Sequence, residues 1–233
     1  MNENLIEFKN LTKYYGSKLV LNQLNLSLKK GRIIGLLGPN GSGKTTMIKI
    51  INGLLKSYQG EVVIDGKKIG KETKQMISYL PDESYFQDWM KAKDALNLFK
   101  DLYKDFNYEH CIELMTSFNL TPDMKIKTMS KGMKEKFQLC LVMSRKAKIY
   151  VLDEPIAGVD PATREVILDL ILNNYDEDAL VLISTHLISD LEQIFDEVVF
   201  IKDGKLILHE NVETLRSERQ MSVDELFREV FRC

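Results

Sequence analysis

An α/β fold on a mostly parallel sheet, carrying an inserted helical region, is what this sequence predicts. Three observations lead there. Short apolar runs, Ile33–Leu37, Ile149–Leu152 and Leu180–Ser184, read as strands buried on both faces. Each is followed by a stretch with apolar residues at helical spacing, and strands alternating with helices predict a parallel sheet. Between about 82 and 145 the strand pattern disappears and only helical spacing remains.

Taken in order, residues 5–30 read as β, because Ile6 with Phe8, and Leu24, Leu26 and Leu28, alternate with polar neighbours. Thr12-Lys13-Tyr14-Tyr15-Gly16-Ser17 reads as a turn with two aromatics; an aromatic there could stack on a flat base or simply be half-buried. After Ile33–Leu37 comes a helix with Met47, Ile48, Ile50, Ile51 and Leu54 on one face. Glu61–Lys67 is a strand running into an Asp-Gly hairpin turn, and Ile77–Leu80 a short strand stopped by Pro81.

Helical spacing then marks Ala92–Leu102, Cys111–Phe118 and a stretch opening at Ser130-Lys131-Gly132-Met133. Most of the ten methionines fall between Met76 and Met143, as a face that repacks against a partner or as gap-filling in a small core. Asp160-Pro161 provides an N-cap and first-turn proline for a helix over 162–172. A helix with Leu187, Ile188, Leu191 and Ile194 follows Ser184, then two strands across Asp203-Gly204. Ser222-Val223-Asp224-Glu225 is a capping box for a last short helix.

With 233 residues, 44% of them hydrophobic, one domain with an insertion is expected. A net charge of -2 argues against nucleic acid as a partner. No run approaches the roughly 18 consecutive apolar residues of a membrane span, and Met1-Asn2-Glu3-Asn4 lacks the features of a signal peptide. Cys111, Cys140 and Cys233 are scattered and odd in number, which suits reduced thiols.

The chemistry concentrates at strand ends. Gly38-Pro39-Asn40-Gly41-Ser42-Gly43-Lys44-Thr45-Thr46 lies between a strand and a helix and matches G-x-x-x-x-G-K-[ST]. Glycines let the backbone wrap a phosphate, whose charge meets exposed amides and a helix N-terminus. Lys44 reaches the β- and γ-phosphates, and the Thr45 hydroxyl suits Mg²⁺. Asp153, directly after an apolar strand, supplies a carboxylate for the same metal, and Glu154 beside it can orient or deprotonate water. His186, after a third strand, is placed to bond the γ-phosphate; a helix-capping histidine is the alternative. His110 and His209 read as surface residues.

In this order, these motifs make the chain resemble the ATP-binding cassette of ABC transporters over essentially its whole length. The family's signature, usually Leu-Ser-Gly-Gly-Gln, stands here as Met129-Ser130-Lys131-Gly132-Met133, similar to cassettes of bacterial multidrug and antibiotic-resistance exporters. The resemblance implies a P-loop NTPase (RecA-like) core with an antiparallel β subdomain. Residues 1–81 and 146–233 would form that catalytic core, and 82–145 a helical subdomain contacting membrane subunits. It further implies ATP and Mg²⁺ as ligands and two cassettes, identical or different, sandwiching two ATP molecules head to tail. Ser130, Lys131, Gly132 and Met133 of one would face the phosphate held by Lys44 of the other. Tyr15 matches the adenine-stacking aromatic, and Asp160 the loop that crosses the dimer interface. The implied protein is an ATPase driving separate transmembrane permease subunits, held cytoplasmic on the inner face of the cell membrane.

One position departs from the family. A glutamine that touches Mg²⁺ usually follows the strand ending at Pro81, and here the residue is Asp82. A carboxylate can still ligate the metal, in the closed dimer; a plain surface aspartate is the alternative. A soluble ATPase of DNA repair or translation and a small-molecule kinase share the phosphate loop. The first usually brings a coiled coil or a second cassette, and the second needs an arginine-bearing lid where Ser130-Lys131-Gly132 stands.

Overall fold

In the computed structural model, which describes residues 3–231, two sheets sit back to back. Strands β1 (Asn4–Tyr15) and β2 (Lys18–Lys29) form a long hairpin, followed by β3 (Arg32–Leu37) and helix α1 (Lys44–Ile51). Next come β4 (Gln59–Ile64), β5 (Lys67–Lys68), α2 (Lys71–Met76) and β6 (Ile77–Leu80). Three helices follow, α3 (Ala92–Leu102), α4 (Tyr108–Ser117) and α5 (Lys131–Met143). The chain then alternates through β7 (Ile149–Asp153), α6 (Pro161–Asn174), β8 (Leu180–Ser184), α7 (Ile188–Leu191) and β9 (Glu197–Lys202). It closes with β10 (Lys205–Asn211), α8 (Val212–Arg219) and α9 (Val223–Phe231). Cys233 and the Met1-Asn2 start, both used in the sequence reading, lie outside the described residues.

The larger sheet has the order β10-β9-β3-β8-β7-β6, all parallel except β10; the smaller, β2-β1-β4-β5, is antiparallel. Alternation along the parallel strands explains the two cores. Ile34, Leu36, Val151 and Leu182 face α1 and the antiparallel sheet, meeting Ile6, Phe8, Leu11, Met47 and Ile51. Ile33, Leu37, Leu152, Ile183 and Phe200 face the other way, into a core shared with α5, α6 and α9. Both faces of these strands are therefore apolar, which is why their sequences read as unbroken apolar runs.

Three readings are corrected. Thr12–Tyr15 belongs to β1, since Tyr15 pairs with Lys18 and only Gly16-Ser17 turns the chain. Helix α1 stops at Ile51 because Gly53 adopts φ 64°, a left-handed C-terminal stop, leaving Leu54 57% exposed. Helix α7 is a single turn, and α2 and α8 were missed. His110 and His209 lie at the surface as expected, half-buried and exposed, and their Nε2 atoms bond Asn174 Oδ1 at 2.8 Å and Glu197 Oε2 at 2.7 Å. As for the methionines, Met115, Met129 and Met143 are buried and Met90, Met124 and Met133 pack against the same core, so gap-filling accounts for them. Cys111 and Cys140 are free and buried.

Arg145, just after α5, ties the helical region to the sheet. It is 2% exposed, donates to the carbonyls of Ile77 and Gln75, and bonds both Asp105 oxygens at 3.2 and 3.0 Å. Its guanidinium lies 3.7 Å from the centre of the Tyr103 ring. Removing it leaves Asp105 and two carbonyls without their donor, so Arg145→Met is expected to cost about 3–5 kcal/mol. Urea unfolding checks this: the midpoint should fall with little change in slope. Arg145→Lys should recover only part of the loss, because an ammonium cannot replace the planar fork.

Candidate active site

Strand β3 delivers the chain into the Gly38–Gly43 loop, which is closed by Ser42 N–H donating to Pro39 O at 3.1 Å. Two glycines are required sterically. A Cβ on Gly38 would sit 2.2 Å from the Ile201 carbonyl oxygen. Gly43, the N-cap of α1, has φ 111°, and its Cβ would fall 2.7 Å from Leu21 Cδ2. The first amides of α1 thus open onto the loop, a ready anion site. Pro39 is half-buried, while Asn40 and Gly41 are exposed at the tip. The Lys44 ammonium is buried and donates to Gly38 O (2.6 Å) and Pro39 O (3.2 Å). Burial pushes its pKa down, and the charges of Glu154 and Asp153 oppose that. Thr45 is exposed and Thr46 half-buried.

Asp153 ends β7 level with Ser184 of β8, which donates its hydroxyl to Asp153 Oδ1. The other oxygen, Oδ2, is buried without a partner among the described residues, as is Ser42 Oγ. Burial raises the Asp153 pKa from its ordinary value; the Asp82 and Glu154 charges add to this, while Ser184 and Lys44 resist it. Glu154 occupies φ 54°, a left-handed conformation that costs a non-glycine residue about 1 kcal/mol or more. Its amide donates to Ser184 O at 3.0 Å, and its carboxylate lies 2.8 Å from His186 Nδ1. This turn takes Glu154 out of the strand alternation, so that both acids serve the same edge. His186 caps no helix; its ring engages Glu154.

Lys44, Asp153, Glu154 and His186 are thereby gathered at the carboxyl ends of β3, β7 and β8. Thr45, Asp82 and Asp153 line one groove of about 760 Å³ that extends past Tyr79 toward α3. Asp82 itself is exposed. Tyr15 sits 46% exposed at the tip of the β1–β2 hairpin, whose Leu21 touches the phosphate loop. Ser130 and Asp160 stand apart. Ser130 is exposed and caps α5, accepting from Met133 N–H at 3.2 Å. Nothing lies within 4 Å of a Cβ built on Gly132, so that end of the helix is open, while Met133 is half-buried. Asp160 caps α6 through Thr163 N–H (3.0 Å) and Thr163 Oγ1 (2.7 Å). Lys131 turns back within its own chain: its Nζ lies 2.1 Å from where a Cβ on Gly158 would be and 3.8 Å from Glu135 Oε1.

Sequence reading missed Ser184. The signal was present, a serine ending an apolar strand, but only the register sets it level with Asp153.

Residues 21–157 match the family model for the ABC transporter. The ABC transporter ATP-binding protein YtrB of Bacillus subtilis (strain 168) is 32% identical over 217 residues, covering 92% of this chain and 74% of that protein. The chain belongs to the ABC transporter family. It is an ATP-binding ATPase subunit. The linearmycin resistance ATP-binding protein LnrL of the same organism is 32% identical over 211 residues, 87% of this cassette and 68% of that one. A solved ATP-binding subunit of an ABC transporter superposes with a TM-score of 0.88 at 25% identity, covering 97% of this chain and 99% of that one.

The raised pKa of Asp153 carries a stability consequence. A carboxyl that prefers its proton when folded favours the folded state at low pH, and this benefit is lost as pH rises through its folded pKa. Above that folded pKa the ionised acid is therefore a net cost. Asp153→Asn is expected to melt a few degrees higher than the parent at pH 7 without nucleotide. That gain should vanish below the ordinary carboxylate range. Melting curves across pH check this.

Proposed function

We propose that this chain powers an exporter by closing head to tail on a second cassette around ATP and reopening after hydrolysis. The observation that carries the reading is the cluster at the carboxyl edge: a buried ammonium, an acid with one spare oxygen, and a carboxylate already oriented by a histidine. Asp153 Oδ2 and the exposed Thr45 hydroxyl are hard oxygen donors that fit Mg²⁺, and Asp82 offers a third from the same groove. When bound, the ion would neutralise charge on the β- and γ-phosphates.

The protein's own groups do the rest. Lys44 exchanges its two loop carbonyls for phosphate oxygens. Glu154 accepts the proton of the attacking water, or orients that water in line. His186, with Nδ1 committed to Glu154, offers its other nitrogen to the terminal phosphate. Tyr15 presents an open ring face to the base. The exposed N-terminus of α5, with Ser130 and Gly132, points its dipole at the partner cassette's γ-phosphate. Asp160 lies in the loop that meets the partner.

Among the described residues no helix is long and apolar enough to cross a membrane, so the pore would be formed by separate permease subunits. These would hold the cassette at the inner face of the cell membrane, gripping the helical segment 82–145. The linearmycin-resistance relative favours export over import. The net charge of -2 gives no support to a nucleic-acid partner.

Glu154→Gln is expected to keep MgATP binding while turnover falls about 10²–10⁴-fold. Equilibrium binding beside phosphate release measures both, and turnover at the parent rate removes Glu154 from its role. The same variant should elute as a dimer with ATP, and adding Ser130→Arg should return it to monomer.

A further inference from the structure

Two lysines of this chain are buried to 7% exposure, Lys44 and Lys13. Lys44 serves the phosphate loop. Lys13 has no such context, yet placing an ammonium so deep is expensive unless it is matched. Among the described residues it is matched by a carbonyl and a ring rather than by a carboxylate: Nζ donates to Ser57 O and lies 4.9 Å from the centre of the Tyr15 ring. These two contacts join separate pieces of structure. Ser57 belongs to the connection between α1 and β4, and Tyr15 to the tip of the β1–β2 hairpin. The pairing of β1 with β2 shifts register between Lys13 and Tyr14, an irregularity next to the residues that bring this cation and ring together.

We propose that Lys13 is a positioning residue for the nucleobase, fixing the plane of Tyr15 by a cation–π contact and anchoring it to the segment that follows α1. The inference rests on the reading of Tyr15 as the stacking platform. A tyrosine that is 46% exposed on a hairpin tip has many rotamers available. Holding it in one of them before the base arrives lowers the entropic cost of stacking. The phosphates are gripped elsewhere, by the Gly38–Gly43 loop and α1, so Lys13 acts on the base end alone.

This separation provides the test. Binding of MgATP and of magnesium tripolyphosphate, which has no base, is measured by calorimetry on the full chain. Lys13→Gln retains a donor for Ser57 O but carries no charge over the ring. It is expected to weaken MgATP about five- to thirtyfold, while tripolyphosphate affinity stays within about twofold of the parent. Lys13→Arg, which stacks on rings and still donates, should restore most of the loss. Equal weakening of both ligands, or of neither, overturns the proposal, and melting curves confirm that each variant is folded. Tyr15→Ala separates the two ideas. If it leaves MgATP affinity unchanged, the stacking reading fails and this inference with it. If it weakens MgATP while Lys13→Gln does not, the Lys13 inference alone is lost.

Discussion

The parallel register of β3, β8 and β7 is the constraint on which the site depends. It sets Leu36, Ser184 and Asp153 level across three strands, so that the phosphate loop, the acid pair and His186 all emerge at one edge. Ligands collect at the carboxyl ends of such strands, where the first turns of the following helices present free amides. A slip of one residue in β7 would exchange its two faces, burying Asp153 among the leucines and isoleucines of one core. Both faces are apolar, so polarity alone does not oppose that slip; the fit of each side chain in its own close-packed core does. Val151 belongs to the core under α1, and Tyr150 and Leu152 to the core under α5 and α6. Close packing of the two cores thus holds the chemistry in place without taking part in it.

What the packing holds is locally unfavourable. Asp153 resists ionisation and Lys44 resists protonation, both because of burial. Glu154 sits at a backbone angle that suits glycine. Asp153 Oδ2 and Ser42 Oγ are buried with no partner among the described residues. The strained backbone angle and each unpartnered buried atom cost of order 1–3 kcal/mol in a typical fold. Groups that bind a charged ligand are built at the expense of stability, and the two cores offset that loss. This asymmetry separates Lys44 from Arg145. The buried arginine is fully matched by two carbonyls and a carboxylate, as a structural cation should be.

How much of this was legible depended on whether the determining interaction was local. The Gly38–Thr46 loop, the Asp160-Pro161 helix start and the Ser222–Glu225 capping box are short-range devices. The structure shows the last directly, with Ser222 N–H donating to Glu225 Oε2 at 2.8 Å and Glu225 N–H to Ser222 Oγ at 3.1 Å. Helix α2 escaped because only Thr73 of its six residues is buried, so no apolar stripe announces it. Helix α1 was read too long because periodicity continues to Leu54 while the left-handed Gly53 ends the helix. Ser184 was missed for another reason: its partner lies 31 residues away, and only pairing of strands sets the two together.

Lys131 and Asp82 show why departures from a motif are better judged in pairs. Each alone looks like a fault: an extra lysine in the signature, and a carboxylate added near a triphosphate. The structure places both on one cavity of about 30 Å³, with Glu135, Gln138, Asp153 and Glu154. Four carboxylates at that spot would repel a polyphosphate strongly. Lys131, drawn toward Glu135 and over Gly158, supplies a counter-charge from within the chain. Glu135 records the balance. Burial raises its pKa most, Lys131 lowers it and Asp82 raises it again, and desolvation wins. The acid added at position 82 therefore shares its cavity with a cation on the helix that opens at Ser130. The phosphate site and the N-terminus of α5 consequently share one electrostatic environment.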